Sequence, residues 1–290
     1  MINILLAILC SSLNILVFRY FDKKNIHSFQ AIALNYITCV ILGWLTLENN
    51  PSTEIFSESW IPYAVVIGST FVYTFYLMAL TTQRNGVSVA AVATKLSMVI
   101  PIVSAFFLYD DPVTTMKIAG ILLAIAAVFF ASIKKSANTS GFNYAVLGLP
   151  VLAWFVGGLI DSSVIYVENF HLGPGKYPIF LIFLFGTAAV NGLIILTVDY
   201  FKNPQKNSIK KSSLLGGLML GIPNYGSIYF FLKALRHAGL DKSVVITVVS
   251  VGVVVFSSLA AWVLFKEKLS RLNLVGIALA IAAISLMTFA

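Results

Sequence analysis

The chain is divided into ten apolar segments, and this pattern limits its fold more than any other feature. A helix needs about 20 predominantly apolar residues to cross the hydrocarbon core of a bilayer. The segments cover 2–21, 28–47, 59–80, 87–108, 115–133, 144–166, 177–198, 213–235, 243–265 and 271–290. They predict an all-α integral membrane protein with ten transmembrane helices, because the connections between them are too short for a separate soluble domain.

Composition excludes several classes of protein. Hydrophobic residues make up 59% of the 290 residues and charged residues make up 10%, whereas a soluble domain is about 45–50% apolar and about 25% charged. The net charge of +8 comes from basic residues in short loops, so nucleic acid is not expected as a partner. The expected partners are a small-molecule substrate and membrane lipid, and the expected location is the cytoplasmic (inner) membrane.

Basic residues are unequally divided between the two sides of the membrane. The loops after odd-numbered segments form the lysine-rich side, with 13 of the 19 basic residues: Arg19, Lys23, Lys24, Arg84, Lys134, Lys135, Lys202, Lys206, Lys210, Lys211, Lys266, Lys268 and Arg271. The loops after even-numbered segments form the lysine-poor side, with five: Lys117, Lys176, Lys233, Arg236 and Lys242. Because cytoplasmic loops carry the excess of Lys and Arg, this distribution predicts that both termini lie outside the cytoplasm.

The two halves of the chain repeat each other. The stretch "IAGILLAIAAV" at 118–128 aligns with "LVGIALAIAAI" at 274–284, and "FYLMAL" at 75–80 aligns with "FFLKAL" at 230–235. Each half holds five segments, an odd number, so the second half enters the membrane in the opposite direction to the first. The sequence therefore predicts two inverted five-helix repeats, over 1–135 and 142–290, within one integrated membrane domain. Inverted repeats are frequent in secondary transporters.

Two further features resemble the drug/metabolite transporter (DMT) superfamily, EamA type. One is an acidic residue in the turn before the last helix of each half, Asp111 in "YDDPVT" and Glu267 in "FKEKLS"; the other is the "Y/F-x-x-A-L" that ends each third helix. The resemblance implies a central cavity lined by helices one to four and six to nine, with helices five and ten peripheral. It also implies the export of amino acids or other metabolites, or the exchange of phosphorylated or nucleotide sugars. Eukaryotic relatives keep both termini in the cytosol, which is the opposite of the orientation that the loop charges predict.

Five polar residues lie deep inside the apolar segments. They are Lys95, in "AAVATKLSMVIP", and Asn14, Asn35, Asn191 and Asn224. At a rise of 1.5 Å per residue, each lies within about 5 Å of the middle of its segment. An ammonium group at this depth usually faces a cavity or a counter-ion, so these residues are predicted to bind the substrate. An asparagine here also has a plainer explanation, because amide side chains hydrogen-bond neighbouring membrane helices to each other.

An acidic and three aromatic residues complete the candidate site. Asp161 lies about 9 Å from the midplane on the other side; it is a candidate for proton coupling, or it reaches water near the membrane surface. Trp154, Tyr225 and Tyr229 could form a wall for the substrate or pack against other helices. The last two are four residues apart and therefore share one face of a helix.

The segment "GLMLGIPNYG" at 217–226 combines small residues with a proline. Gly217 and Gly221 are four residues apart, which favours the close approach of another helix. Pro223 favours a bend, because its ring removes a backbone donor from the helix. Interruption of a membrane segment by glycine and proline is a pointer to transporter binding sites.

Other functions are less consistent with the sequence. It contains no HExxH motif, no clustered His or Cys ligands and no DxxD pair, so neither an enzyme nor a metal or cofactor is expected. A channel filter is commonly a ring built by symmetric subunits, which makes a channel less favoured. Broad-specificity drug efflux is the main alternative, although the deepest charge, Lys95, favours an anionic or zwitterionic substrate. The predicted function is a secondary transporter, an exporter or exchanger, that moves such a metabolite, for example an amino acid, by alternating access. Its assembly as a homodimer is left open.

Overall fold

The structure is a computed structural model that describes residues 1–47, 53–85, 97–108, 112–132, 148–204, 208–265 and 271–288. A short 3-10 helix occupies Thr53–Ser57. The α-helices in these ranges are α1 (Ile2–Lys24), α2 (Ser28–Leu45), α3 (Ile61–Asn85), α4 (Val99–Leu108), α5 (Thr115–Ser132), α6 (Gly148–Phe170), α7 (Tyr177–Lys202), α8 (Lys211–His237), α9 (Lys242–Phe265) and α10 (Arg271–Thr288). Each helix overlaps one predicted segment, so the predicted all-α class is confirmed.

Seven of the helices are long and apolar enough to cross a membrane: α1, α2, α3, α6, α7, α8 and α9. The apolar parts of the other three, Val99–Leu108, Thr115–Ala127 and Leu274–Ala283, are shorter within the described residues. Several apolar helices of this length make the chain a multi-pass membrane protein. The full count of ten spans stays a prediction.

Eight helices pack into a closed ring, which we call the helix ring. Its order is α4, α6, α3, α7, α2, α8, α1 and α9; each packs against the next, and α9 packs against α4. The remaining two helices, α5 and α10, pack against each other and against α9. The peripheral position of α5 and α10 agrees with what the family resemblance implies. The resemblance also implies that α2 and α7 line the cavity, but no described residue of either helix lines the chambers described below.

Glycine allows α8 to pack very closely against α2. A Cβ atom on Gly217 would lie 2.7 Å from Leu34 Cβ, and one on Gly221 would lie 2.5 Å from Thr38 Cβ. These distances are shorter than van der Waals contact, so no larger residue fits at either position without a shift of the backbone. The predicted close packing at these two glycines is confirmed. The helix continues through Pro223 to His237.

Aromatic side chains fill the part of the helix ring where α2, α3 and α7 meet. The rings of Tyr36 and Phe185 stack with centroids 6.0 Å apart, and Phe71 packs edge-on against Phe185 at the same distance. Trp60 is fully buried and packs edge-on against Phe180 at 5.9 Å. This dense packing leaves the open space of the ring on the other side, between α1, α3, α4, α6, α8 and α9.

Candidate solute-binding site

Two adjoining chambers lie inside the helix ring. The larger has a volume of about 220 Å³ and is lined by α1, α3, α6, α8 and Ser97. The smaller has a volume of about 170 Å³ and is lined by Ser11, α4 with the two residues before it, α6, α8 and α9. Both walls include five residues: Ser11, Ser97, Asp161, Ser227 and Ile228. Together the chambers are in the size range of small-molecule sites, about 300–1,000 Å³.

Two of the predicted asparagines line the larger chamber. The Oδ1 atom of Asn14 is buried and has no hydrogen-bond partner among the described residues. Asn224 is 2% exposed, and its Nδ2 atom donates a hydrogen bond to Asn35 Oδ1 at 2.8 Å. Because an unpaired buried acceptor is costly, Asn14 is suited to accept a hydrogen bond from a bound solute.

Asp161 is part of the wall of both chambers. Its side chain is exposed, so the carboxylate reaches the interior of the cavity. The helix that carries it approaches the start of α4 closely, since a Cβ atom on Gly158 would lie 2.9 Å from the backbone oxygen of Ser97. The structure therefore brings a carboxylate and the amide of Asn14 to the walls of one cavity.

Asn35 and Asn191 lie outside both chamber walls, which differs from the prediction that all four asparagines share one interior. Asn35 is fully buried between α2 and α8, where it accepts the hydrogen bond from Asn224. Asn191 on α7 donates to Ser69 Oγ on α3 at 3.2 Å. The reason is that α2 and α7 occupy the densely packed part of the helix ring. Both amides link neighbouring helices, which is the alternative that the sequence also allowed.

The three aromatic candidates are not among the described residues that line the chambers. Tyr225 is 4% exposed and its hydroxyl pairs with the Thr46 hydroxyl at the end of α2. The rings of Tyr225 and Tyr229 stack at 5.5 Å with an interplanar angle of 18°, as their spacing predicted. Trp154 is half-buried beside Phe155. In this structure all three side chains pack against protein.

Lys95 lies outside the described residues, as do Asp111 and Glu267. The nearest described residue to Lys95 in the chain is Ser97, and Ser97 lines both chambers. The prediction that Lys95 binds the substrate therefore stays a prediction.

The hydroxyl groups of the chambers were not among the residues predicted from the sequence. Ser11, Ser227 and Ser250 contribute to the walls. A signal was present, because Ser11 lies three residues before Asn14 and Ser227 lies three residues after Asn224, and such spacings share a helix face.

The ion pairs at the lysine-poor side were not predicted from the sequence, in which Lys117, Arg236 and Lys242 counted only as loop charges. Arg236 and Lys242 instead pair with Glu168 on α6, which is 1% exposed. Lys117, which is 2% exposed, pairs with Asp241 directly before α9. No sequence spacing connects these partners, because they come from helices that are distant in the chain.

Helices that are long and apolar enough to cross a membrane enclose a cavity that has polar groups in its wall, an arrangement typical of membrane transporters. Residues 1–133 match the model of the EamA-like transporter family. The chain belongs to this family, which is part of the DMT superfamily and whose members are transporters rather than enzymes.

A relative and a solved structure cover nearly the whole chain. An uncharacterized protein of Haemophilus influenzae is 30% identical over 288 residues, which is 97% of this chain and 96% of that protein. A solved crystal structure with 16% sequence identity covers 98% of this chain and 96% of its own, with a TM-score of 0.69. The structural similarity supports the fold alone.

Proposed function

We propose that this protein is a secondary transporter that carries a small anionic or zwitterionic metabolite, such as an amino acid, across the cytoplasmic membrane. The observation that carries the proposal is the position of the two chambers. Their walls come from α1, α3 and α4 of the first half and from α6, α8 and α9 of the second. A solute in the chambers would touch both halves, and relative motion of the halves would change its access to the two sides.

Alternating access is supported by how the helices pack. In two five-helix repeats, α1 corresponds to α6, α2 to α7, α3 to α8 and α4 to α9. The contact between α2 and α8 therefore corresponds to the contact between α7 and α3. In the same way, α1 with α8 becomes α6 with α3, and α1 with α9 becomes α6 with α4. All of these contacts are present. This correspondence supports two inverted repeats that rock around a central site, as an exporter or an exchanger.

The polar groups of the chambers match a solute that carries both charges. The Asp161 carboxylate and the Asn14 Oδ1 atom, which has no partner in the part of the chain that the structure describes, accept hydrogen bonds from an ammonium group. Lys95, on the sequence argument, supplies the cation for a carboxylate or phosphate of the solute. Asp161 is also the proposed site of proton exchange during each cycle. The proposed partners are therefore the solute and membrane lipid.

One observation favours broad-specificity drug efflux as a second candidate. Phe71 and Phe75 of α3 line the larger chamber together with Asp161. Aromatic faces beside a carboxylate are suited to a lipophilic cation, because the π-system attracts positive charge. The two candidates differ in the charge of the solute that they carry.

An uptake panel in reconstituted vesicles separates the two candidates. The panel contains radiolabelled amino acids, organic anions and lipophilic cations, tested with the wild type, Lys95→Ala, Asn14→Ala and the control Asn191→Ala. Loss of one charged hydrogen bond is worth about 1.5–3 kcal/mol, so Lys95→Ala is expected to lower uptake of the zwitterionic or anionic solute by about tenfold or more. Asn191→Ala is expected to keep most of the activity. Transport of lipophilic cations alone would replace the metabolite proposal, and unchanged uptake in Lys95→Ala would remove Lys95 from it.

A fusion at the C-terminus tests the orientation. The loop charges predict that a reporter active only in the cytoplasm stays inactive when it follows Ala290. Reporter activity would instead support the cytosolic termini of the eukaryotic relatives.

A further inference from the structure

Three charged residues meet at the lysine-poor side of the helix ring. Glu168 lies near the end of α6 and is 1% exposed. Arg236 Nε lies 3.0 Å from its Oε1 atom, and Lys242 Nζ lies 2.7 Å from its Oε2 atom. Arg236 also donates hydrogen bonds to the carbonyl oxygens of Glu168, at 3.0 Å, and Leu172, at 2.9 Å. We call Glu168, Arg236 and Lys242 the charged triad.

The charged triad connects helices that are separated around the helix ring. The ring neighbours of α6 are α4 and α3, and those of α8 are α2 and α1. The pair between Glu168 on α6 and Arg236 on α8 therefore spans the interior of the ring. Lys242, at the start of α9, adds a third helix from another part of the ring. These contacts hold the ends of three helices together at the lysine-poor side.

The smaller chamber begins about one helical turn from the charged triad, toward the membrane centre. Ile165, Phe231 and Ile246 line this chamber. They are three, five and four residues from Glu168, Arg236 and Lys242, respectively, in the direction of the membrane centre. At 1.5 Å per residue these spacings correspond to about 4.5–7.5 Å along the helices. The triad thus lies between the chamber and the lysine-poor side.

A second pair fixes the start of α9. Lys117, at the start of α5, is 2% exposed; it pairs with Asp241 and donates a hydrogen bond to the Pro112 carbonyl at 3.1 Å. Asp241 directly precedes Lys242 of the charged triad. The first turn of α9 is therefore tied to the peripheral helices on one side and to Glu168 on the other.

We propose that the charged triad is the gate that closes the cavity toward the lysine-poor side, and that this structure is the state with that gate closed. The proposal goes beyond the proposed function and rests on its alternating-access mechanism. A buried ion pair is strongly disfavoured once one partner is lost, because the remaining charge stays out of water. Separation of the helix ends lets water reach all three groups, which gives the gate two distinct states.

The test measures access to the smaller chamber from the lysine-poor side. Ser250, on α9, lines this chamber and is replaced by cysteine in a background without Cys10 and Cys39. Vesicles of known protein orientation are then treated on the lysine-poor side with a membrane-impermeant maleimide, which alkylates accessible thiols. A shift toward the open state is expected to raise the alkylation rate of Ser250→Cys by about tenfold or more in Glu168→Gln.

A matched control removes a different ion pair on the same side. Glu58 pairs with Lys176, and these residues precede α3 and α7, which are neighbours in the helix ring. Because this pair does not span the interior of the ring, Glu58→Gln is expected to leave the alkylation rate within about twofold of the wild type. An equal increase in Glu58→Gln and Glu168→Gln would overturn the proposal, since it would show general loosening.

Further variants keep the test decisive if Glu168→Gln does not fold. Lys242→Gln removes one of the two cations and is expected to give a smaller increase in alkylation. The double variant Glu168→Gln/Arg236→Gln removes both charges of the cross-ring pair and is expected to open the gate. Wild-type alkylation rates in both folded variants would overturn the proposal. The assay needs no transported solute, so faster alkylation in a protein that transports nothing would reject only the proposed function.

Discussion

Similar polar residues have opposite surroundings in two neighbouring regions of the molecule. One region is the contact between α2 and α8, which we call the seam, and the other is the pair of chambers beside it. In the seam, Asn35 is fully buried and hydrogen-bonded to Asn224. In the larger chamber, Asn14 has a buried acceptor without a partner among the described residues. Both asparagines lie at nearly the same predicted depth in consecutive segments. The difference shows that depth in the membrane does not decide the role of an amide; what matters is whether its helix face meets protein or a cavity.

The seam is closed along its length by polar contacts and small residues. Ser213 Oγ donates to Gln30 Oε1 at 2.8 Å near the lysine-rich side, and the Tyr225 hydroxyl pairs with Thr46 farther along. Each such bond in a membrane protein is worth about 0.6 kcal/mol on average and up to about 1.7 kcal/mol. Gly217 and Gly221 let the helices approach closely enough for these bonds to form. These contacts hold α2 and α8 closely together along their length.

The largest expected effect comes from widening the seam. In Gly221→Leu the new side chain meets Thr38 Cβ at 2.5 Å and the Asn35 carbonyl oxygen at 2.7 Å. Overpacking of this kind costs about 1–3 kcal/mol or more, so we expect most of the folded protein to be lost. Fluorescence-detected size-exclusion chromatography and thermal unfolding in detergent measure this loss. Gly148→Leu is the control, because a Cβ atom there meets nothing within 4 Å; similar losses in both variants would show that the seam is not special.

A pair of variants at the two asparagines has an intermediate effect and tests the contrast directly. Asn35→Leu leaves Asn224 without its partner, and we expect it to lower stability by about 0.6–1.7 kcal/mol. Asn14→Leu removes an acceptor that no described residue contacts through a hydrogen bond, so we expect unchanged or higher thermal stability together with reduced transport. Thermal midpoints and vesicle uptake, measured on the same preparations, check both expectations. A loss of stability in Asn14→Leu equal to that in Asn35→Leu would remove the contrast.

The smallest expected effect is at the end of the seam. Tyr225→Phe removes only the hydroxyl that pairs with Thr46. The phenylalanine ring can still stack on the ring of Tyr229. We expect a decrease in stability of about 0.6 kcal/mol and no change in the solute preference. The thermal midpoint and the uptake panel measure the two properties. A changed solute preference would place Tyr225 in the binding site after all.

Much of the fold could be predicted because the length and hydropathy of an apolar segment indicate a membrane helix. Each of the ten segments overlaps one described helix, and the peripheral position of α5 and α10 followed from the family resemblance. The site could be predicted only in part. Asn14, Asn224 and Asp161 line the chambers, but Asn35 and Asn191 do not. Sequence gives the position of a residue along a helix, whereas its rotation toward a cavity depends on packing with distant helices.

The charged triad could not be predicted from the sequence, for a related reason. Arg236 follows Glu168 by 68 residues in the chain, and Lys242 follows it by 74 residues. Charges near helix ends were counted for orientation, which needs only the side of the membrane. Their pairing depends on which helix ends meet across the helix ring, and this is set by the three-dimensional packing.

The central claim is that the solute occupies the chambers, and solute protection of a cysteine tests it most directly. Ser227 lines both chambers and is replaced by cysteine in a background without Cys10 and Cys39; Asn191→Cys in the same background is the control outside the chamber walls. The solute identified by the uptake panel is expected to slow alkylation of Ser227→Cys by about tenfold at saturation and to leave Asn191→Cys unchanged. Equal alkylation of Ser227→Cys with and without a transported solute would contradict the account.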